Sequence, residues 1–95
     1  MKLYRYDRIT ATKINASIRL CIFDVIHETK SGFWIMCYGE KKWVSNNAKK
    51  RYAYPTKQEA LHNFKKRTER AILILSSMLD SSRLFLKAAE NTEID

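Results

Sequence analysis

The side chains best suited to chemistry in this 95-residue chain are cations interleaved with aromatic rings. Residues 41–70 hold ten Lys or Arg and only two Glu, so this segment carries a charge equal to the net +8 of the whole chain. Cations neutralise phosphates, and aromatic rings offer faces on which bases stack. The pattern predicts an anion- or nucleic-acid-binding surface, and it also fits a solvated basic rim around core aromatics. The predicted contacts are Lys41, Lys42, Trp43, Lys49, Lys50, Arg51, Tyr52, Lys66, Arg67 and Arg70.

The cations at residues 65–70 form a separate group on a predicted helix. Lys66 and Arg70 are four residues apart and share a helix face, so their charges repel by a few tenths of a kcal/mol. Glu69 lies four residues after Lys65 and is expected to relieve that side chain rather than Lys66. The imbalance favours a bound anion over a purely solvated stripe.

The sequence contains no recognised catalytic or metal-binding pattern. His27 and His62 have no second ligand three or four residues away, and neither Cys-x-x-Cys nor His-Glu-x-x-His occurs. Gly32 and Gly39 are too few for a glycine-rich phosphate loop. Cys37 and His27 flank one predicted hairpin, which leaves a nucleophile–base pair open, although a buried structural thiol is the simpler reading. We therefore expect a non-enzymatic protein that needs neither cofactor nor metal.

Length and composition indicate one small globular domain, with 45% hydrophobic and 12% aromatic residues. The apolar run at residues 18–26 is interrupted by Arg19 and Asp24 and lies too far from the start for a signal peptide. No stretch reaches the roughly 18 uncharged apolar residues of a membrane span. We expect a protein of the cytoplasm in which Cys21 and Cys37 are reduced thiols.

Alternating apolar residues predict an antiparallel meander of three to four strands within residues 1–54. The strands are expected at 2–12, 17–29, 33–38 and 41–45, with 49–54 as a short final strand or an extended arm. The first has the mixed faces of an edge strand, and the second has the apolar faces of a central strand covered on both sides. Gly32 is expected to supply a positive φ in the turn after Thr29. Asp24 interrupts an apolar face of the second strand. It is interpreted as a bulge, as the partner of a neighbouring Arg or as a carboxylate placed for a functional role.

At Pro55 the hydrophobic period changes from two to 3.6, which predicts a helix over residues 56–91 and a frayed tail at 92–95. Thr56 and Glu59 have the spacing of a capping box, in which each side chain satisfies a free backbone N–H of the other residue. Tyr54 is pushed to extended geometry by the proline that follows it. The expected fold class is α+β: an antiparallel sheet followed by one long, possibly broken, C-terminal helix.

The predicted helix carries a heptad series, and at ~1.5 Å per residue an unbroken helix of this length would be far longer than a four-stranded sheet is wide. Two arrangements remain open: a break near residues 80–82 that folds the helix back, or a distal half that packs on another subunit. The series continues in phase through 80–82 and favours the second, so we expect a homodimer or higher oligomer. The residues predicted to mediate it are Leu75, Met78, Leu79, Phe85 and Leu86.

The segment WVSNNAKKRYAYPTKQEALHNFKKRTERAILIL, residues 43–75, resembles a pattern in small bacteriophage proteins. The shared features are a Trp-Val-Ser turn, a basic-aromatic stretch ending Ala-Tyr-Pro-Thr-Lys and a helix rich in Ala and Leu. The resemblance implies a phage-encoded anti-defence protein, such as an anti-CRISPR inhibitor or a sponge for nucleotide signals. It implies a host defence protein or ribonucleoprotein complex, nucleic acid or nucleotide as partner, and it assigns no site residues.

The net positive charge disfavours a protein that mimics DNA. Two alternatives stay open: a nucleic-acid-binding phage regulatory protein, and a structural or assembly protein that acts through its helix.

Overall fold

The computed structural model describes residues 1–94 and divides the chain into two compact units, Met1–Phe64 and Lys65–Asp95. Four strands form one antiparallel sheet in the order β1-β2-β3-β4, and one helix follows them. This confirms the α+β class predicted from the hydrophobic periods. The elements are β1 (Lys2–Ala11), β2 (Ala16–Thr29), β3 (Gly32–Cys37), β4 (Glu40–Ser45) and α1 (Lys57–Glu90).

The sheet folds from short hairpins. In the loop between β3 and β4, Tyr38 and Gly39 have φ of 50° and 84°, and Cys37 pairs with Glu40. Positive φ at both loop residues is the pattern of a type I′ turn, whose twist matches that of the strands.

Gly32 does not have the positive φ predicted for it, because it lies at the start of β3 and pairs with Thr29. A Cβ at this position would lie 2.2 Å from the carbonyl oxygen of Val44 and 2.9 Å from the Trp43 ring. Glycine is therefore required by the close approach of β4 rather than by the turn.

One face of the sheet, called here the covered face, holds the hydrophobic core. Strand pairing places Leu3 beside Phe23 and Phe33 beside Val44 on this face. Leu3 and Ile35 are completely buried, and burial of such a side chain stabilises a fold by about 1.5–3 kcal/mol. The core cluster is Leu3, Cys21, Phe23, Phe33, Ile35, Val44 and Ala53.

The segment after β4 is the extended arm allowed by the sequence, and it closes the covered face. Ala53 is fully buried in the core cluster, and Tyr52 packs against that cluster. Tyr54 then exchanges two backbone hydrogen bonds with Tyr4, at 2.7 and 2.8 Å, on the outer edge of β1. The arm therefore runs from the β4 edge of the sheet to the β1 edge.

Helix α1 begins at the predicted cap. The Thr56 hydroxyl accepts a hydrogen bond from the Glu59 backbone N–H at 3.1 Å and donates one to the Glu59 carboxylate at 2.9 Å. The carboxylate thus bonds the hydroxyl instead of the Thr56 backbone N–H. Residues 57–90 are helical throughout, so the possible break near 80–82 does not occur. The frayed tail was predicted over 92–95: residues 92–94 have no regular structure, and Asp95 lies outside the described residues.

The opposite side of the sheet, called here the open face, differs from its prediction. β2 is a central strand, as expected, but Ile18, Ile22 and Ile26 are 46, 51 and 45% exposed instead of covered. Asp24 on the same face pairs with Lys2 of β1, with Nζ 2.6 Å from Oδ1. The sequence allowed Asp24 an arginine partner, and the structure shows a cation partner on the neighbouring strand that is a lysine instead.

The second unit consists mainly of the continuation of α1, and residues 72–90 are all exposed. Nine large apolar side chains in this stretch are at least half exposed. They include all five predicted self-association residues, at 50–75% exposure. These nine are Ile72, Leu73, Ile74, Leu75, Met78, Leu79, Leu84, Phe85 and Leu86.

Candidate functional site

The two tryptophans of the chain meet on the open face. Trp34 in β3 lies directly opposite Trp43 in β4, with ring centroids 5.3 Å apart and ring planes inclined by 51°. The two residues are 38 and 37% exposed, so each leaves part of its surface to solvent. Lys41, next along the same face of β4, pairs with Met36 and is also exposed. An aromatic pair and a cation therefore lie together on an uncovered sheet.

A β-bulge in β2 adds a histidine to this group. Val25 pairs with Ile35, but His27 pairs with Trp34, so Ile26 is the extra residue. The bulge moves His27 from the face that strict alternation predicted to the open face. Ile26, His27, Trp34 and Lys41 line a shallow hollow of about 320 Å³. We call these four residues together with Trp43 the tryptophan site.

The structure separates the anion-binding residues predicted from residues 41–52. Lys41 and Trp43 belong to the tryptophan site, whereas Lys42 lies on the covered side with its Nζ 3.6 Å from the centroid of the Tyr52 ring. Arg51 donates a hydrogen bond from Nη2 to the Asn46 carbonyl at 2.6 Å and so holds the arm. Lys49 and Lys50 are exposed in the loop after β4.

The Tyr52 ring packs against neighbouring side chains, whereas a stacking platform leaves the face of its ring open. The Arg5 guanidinium lies 4.3 Å from its ring centroid, and Phe23 packs against it at 5.7 Å. Its hydroxyl lies 3.5 Å from the Cys37 sulfur. Burial, followed by the hydrogen bond with Cys37, raises the pKa of the Tyr52 phenol to about 12. The phenol therefore stays neutral to higher pH in the folded protein.

Because the phenol ionises near pH 10 when unfolded and near 12 when folded, Tyr52 makes stability fall as pH rises from 10 towards 12. Below pH 10 the phenol is neutral in both states and contributes no pH dependence. We expect Tyr52→Phe to reduce the loss of stability between pH 10 and 12, measured by urea unfolding. The two proteins differ only by this phenol hydroxyl, so the difference between their losses reports on Tyr52. Identical losses would contradict the assigned environment.

The helix cations lie in the second unit. Lys66 pairs with Glu69, with Nζ 3.4 Å from Oε2. Both side chains are more than 60% exposed, and such a pair contributes at most about 1 kcal/mol. The spacing had predicted that Glu69 would pair with Lys65 instead. Arg70 is exposed, and Arg67 is partly buried.

The residues considered for catalysis are not brought together. Cys37 lies on the covered face against Tyr52, whereas His27 lies on the open face. Cys21 and Cys37 are both free thiols. Within residues 1–94, no cluster of three or more His, Cys, Asp or Glu side chains has the arrangement of a metal site.

Trp34 and His27 were not among the predicted binding residues. The sequence could have indicated Trp34. A two-residue loop at Tyr38-Gly39 pairs residue 37 with 40, and the same register pairs residue 34 with 43. The sequence could not have indicated His27, because the bulge breaks the alternation from which the face of each side chain is assigned.

In the described part of the chain, no helix has both the length and the apolar character required to cross a membrane. Comparison with known proteins adds no relative, since no family model, curated protein or solved structure matches this chain.

Proposed function

We propose that this protein binds single-stranded nucleic acid on the open face of its sheet, without catalysis. The observation that carries the proposal is the pair Trp34 and Trp43, partly exposed and placed beside Lys41 in a chain of net charge +8. Exposed aromatics on an antiparallel sheet are a recurrent platform for unpaired bases.

The geometry suits stacking followed by phosphate contact. A base that stacks on a sheet aromatic gains about 1–3 kcal/mol, with little dependence on its identity. Lys41 lies beside Trp34 at the hollow, within reach of a phosphate on a base stacked there. A double helix keeps its bases paired and stacked, so single strands are the preferred ligand.

Intrinsic fluorescence tests the proposal directly, because the only two tryptophans both belong to the tryptophan site. We expect an eight-nucleotide oligothymidylate to quench this fluorescence, with log K falling by about 0.7 per neutralised phosphate for each unit of log salt. Lys41→Ala should lower that slope by about 0.7, whereas Lys30→Ala, in the β2–β3 turn, should not change it.

Three results would contradict the proposal. The first is no quenching and no binding at roughly 20 mM salt. The second is equal affinity for an acidic polypeptide, which would show attraction by charge alone. The third is tight binding of a cyclic dinucleotide with no binding of strands, which would favour nucleotide sequestration.

A second candidate function is self-assembly through the distal half of α1. The supporting observation is the set of nine large apolar side chains in residues 72–86, each at least half exposed. An apolar surface of this extent on a helix is typical of an interaction site. We propose a homodimer or higher oligomer, and light scattering at several concentrations tests it: a monomer at 100 μM would contradict it.

The proposed biological setting is that of a phage protein acting on host defence in the host cytoplasm, supported only by the resemblance in residues 43–75. Its target would be a ribonucleoprotein defence complex or a nucleotide signal. Expression of the chain should raise phage plating on a host with active CRISPR or nucleotide-signalling immunity. Unchanged plating on both hosts would contradict an anti-defence role, while leaving the binding of nucleic acid to be judged by the fluorescence titration.

A further inference from the structure

Seven of the nine exposed apolar residues of the second unit lie on one broad side of α1, whereas Leu73 and Leu84 lie on the opposite side. At about 100° per residue, Ile72, Leu75 and Leu79 lie along one half of the arc, and Ile74, Met78 and Phe85 lie along the other. The arc spans roughly 160° of the helix surface, with Ser82 near its centre. The polar residues Asp80, Arg83 and Lys87 lie outside it. An arc of this width indicates burial against another helix.

Charge along the same helix is distributed unevenly. Residues 65–70 hold four cations and one carboxylate, whereas one cation, Lys87, and two carboxylates, Glu90 and Glu93, follow the apolar stretch. The helix dipole adds positive character at the start and negative character at the end. Two helices aligned in parallel would bring the basic segments together. Two antiparallel helices would bring each basic segment to the acidic end of the other.

We infer that two copies of this chain pair through an antiparallel contact of residues 71–89, with Asp80 of both copies at the same level. The inference rests on the self-association proposed above and adds its partner, direction and register. Charge complementarity between the two ends of the helix selects a second copy as the occupant of this surface.

In this register, residues whose numbers add to 160 lie at the same level on the two helices. The heptad positions of one helix then face those of the other, which supports the register. Leu75 then lies against the partner's Phe85, and Met78 lies against the partner's Ser82, which offers room for the longer side chain. Leu79 approaches the partner's Leu79 beside the two-fold axis. No charged residue falls within the apolar seam.

Distances between spin labels test the direction. Labels are introduced through ketone-bearing unnatural residues at positions 80 and 87 in turn, so that Cys21 and Cys37 remain unmodified. Both positions lie on the polar side of α1. In the antiparallel pair the two copies of residue 80 are level, whereas those of residue 87 are about 21 Å apart along the axis. We expect a clearly longer distance at 87 than at 80. Equal distances would overturn the inferred direction.

A size exchange tests the register in the full-length protein. Ser82→Met should weaken the dimer on the order of fivefold, because two methionines then meet across the seam in a space that holds one. Adding Met78→Ser should restore the affinity, since each contact is then rebuilt with its sizes exchanged. A double variant no tighter than Ser82→Met would overturn the register. Light scattering that shows only monomer overturns self-association as well, whereas a dimer with equal label distances leaves self-association standing and rejects only the antiparallel pairing.

Discussion

Replacing Ile35 with alanine should lower the free energy of unfolding by about 2–5 kcal/mol. Ile35 is completely buried, and it lies between Val25 of β2 and Lys42 of β4 in the centre of the covered face. Alanine removes three carbons from a core in which, within residues 1–94, the fully buried large side chains are Leu3 and Ile35. Stability of small domains is about 5–15 kcal/mol, so the loss is a large share of the total.

Met36→Ala is the matched control, because Met36 is the next residue in β3 but points to the open face and is 44% exposed. We expect it to change the free energy of unfolding by less than about 1 kcal/mol. Urea unfolding followed by circular dichroism measures both variants. Equal losses at 35 and 36 would show that the two faces are buried alike and would contradict the one-sided core.

Trp34→Ala should weaken binding of single-stranded nucleic acid by about 5- to 150-fold, the equivalent of one stacked base at 1–3 kcal/mol. Trp34 is the member of the tryptophan site that contacts both Trp43 and the hollow beside Lys41. Its removal takes away one aromatic face and the support for the other. The salt dependence should remain, because it comes from cations that the substitution leaves in place.

Fluorescence anisotropy of a labelled oligonucleotide measures this effect, and circular dichroism confirms that the variant is folded. Trp34→Phe is the control, since it keeps an aromatic ring and should recover most of the affinity. Phe85→Ala removes an exposed aromatic of the second unit instead. A loss with Phe85→Ala as large as that with Trp34→Ala would contradict stacking on the sheet.

The fold was predictable where short-range chemistry determines it. Thr56 and Glu59 form the start of α1 through atoms three residues apart, and the two-residue turn at Tyr38-Gly39 determines the pairing of β3 with β4. The reason for Gly32 was not predictable in this way. It depends on the carbonyl of Val44, which reaches Gly32 only after β4 has paired.

The candidate site was also predictable only in part. Clustering of cations in residues 41–70 followed from counting residues, but the structure distributes them over both sheet faces and the second unit. Tyr52 shows the difference most clearly: the sequence predicts that it contacts a ligand, and the structure shows its ring packed between Arg5, Lys42 and Phe23. A count of charges carries no information about which side of a strand each side chain takes.

By itself, the sequence determined the element types, the helix cap and the basic character of the protein, because these depend on neighbouring residues and on composition. Only the tertiary structure decided which face of the sheet is covered, since that depends on the arm carrying Ala53 across to Tyr4 of β1. It also decided that a bulge at Ile26 places His27 beside Trp34. Both outcomes arise from backbone pairing between segments distant in sequence, and local periodicity does not encode them.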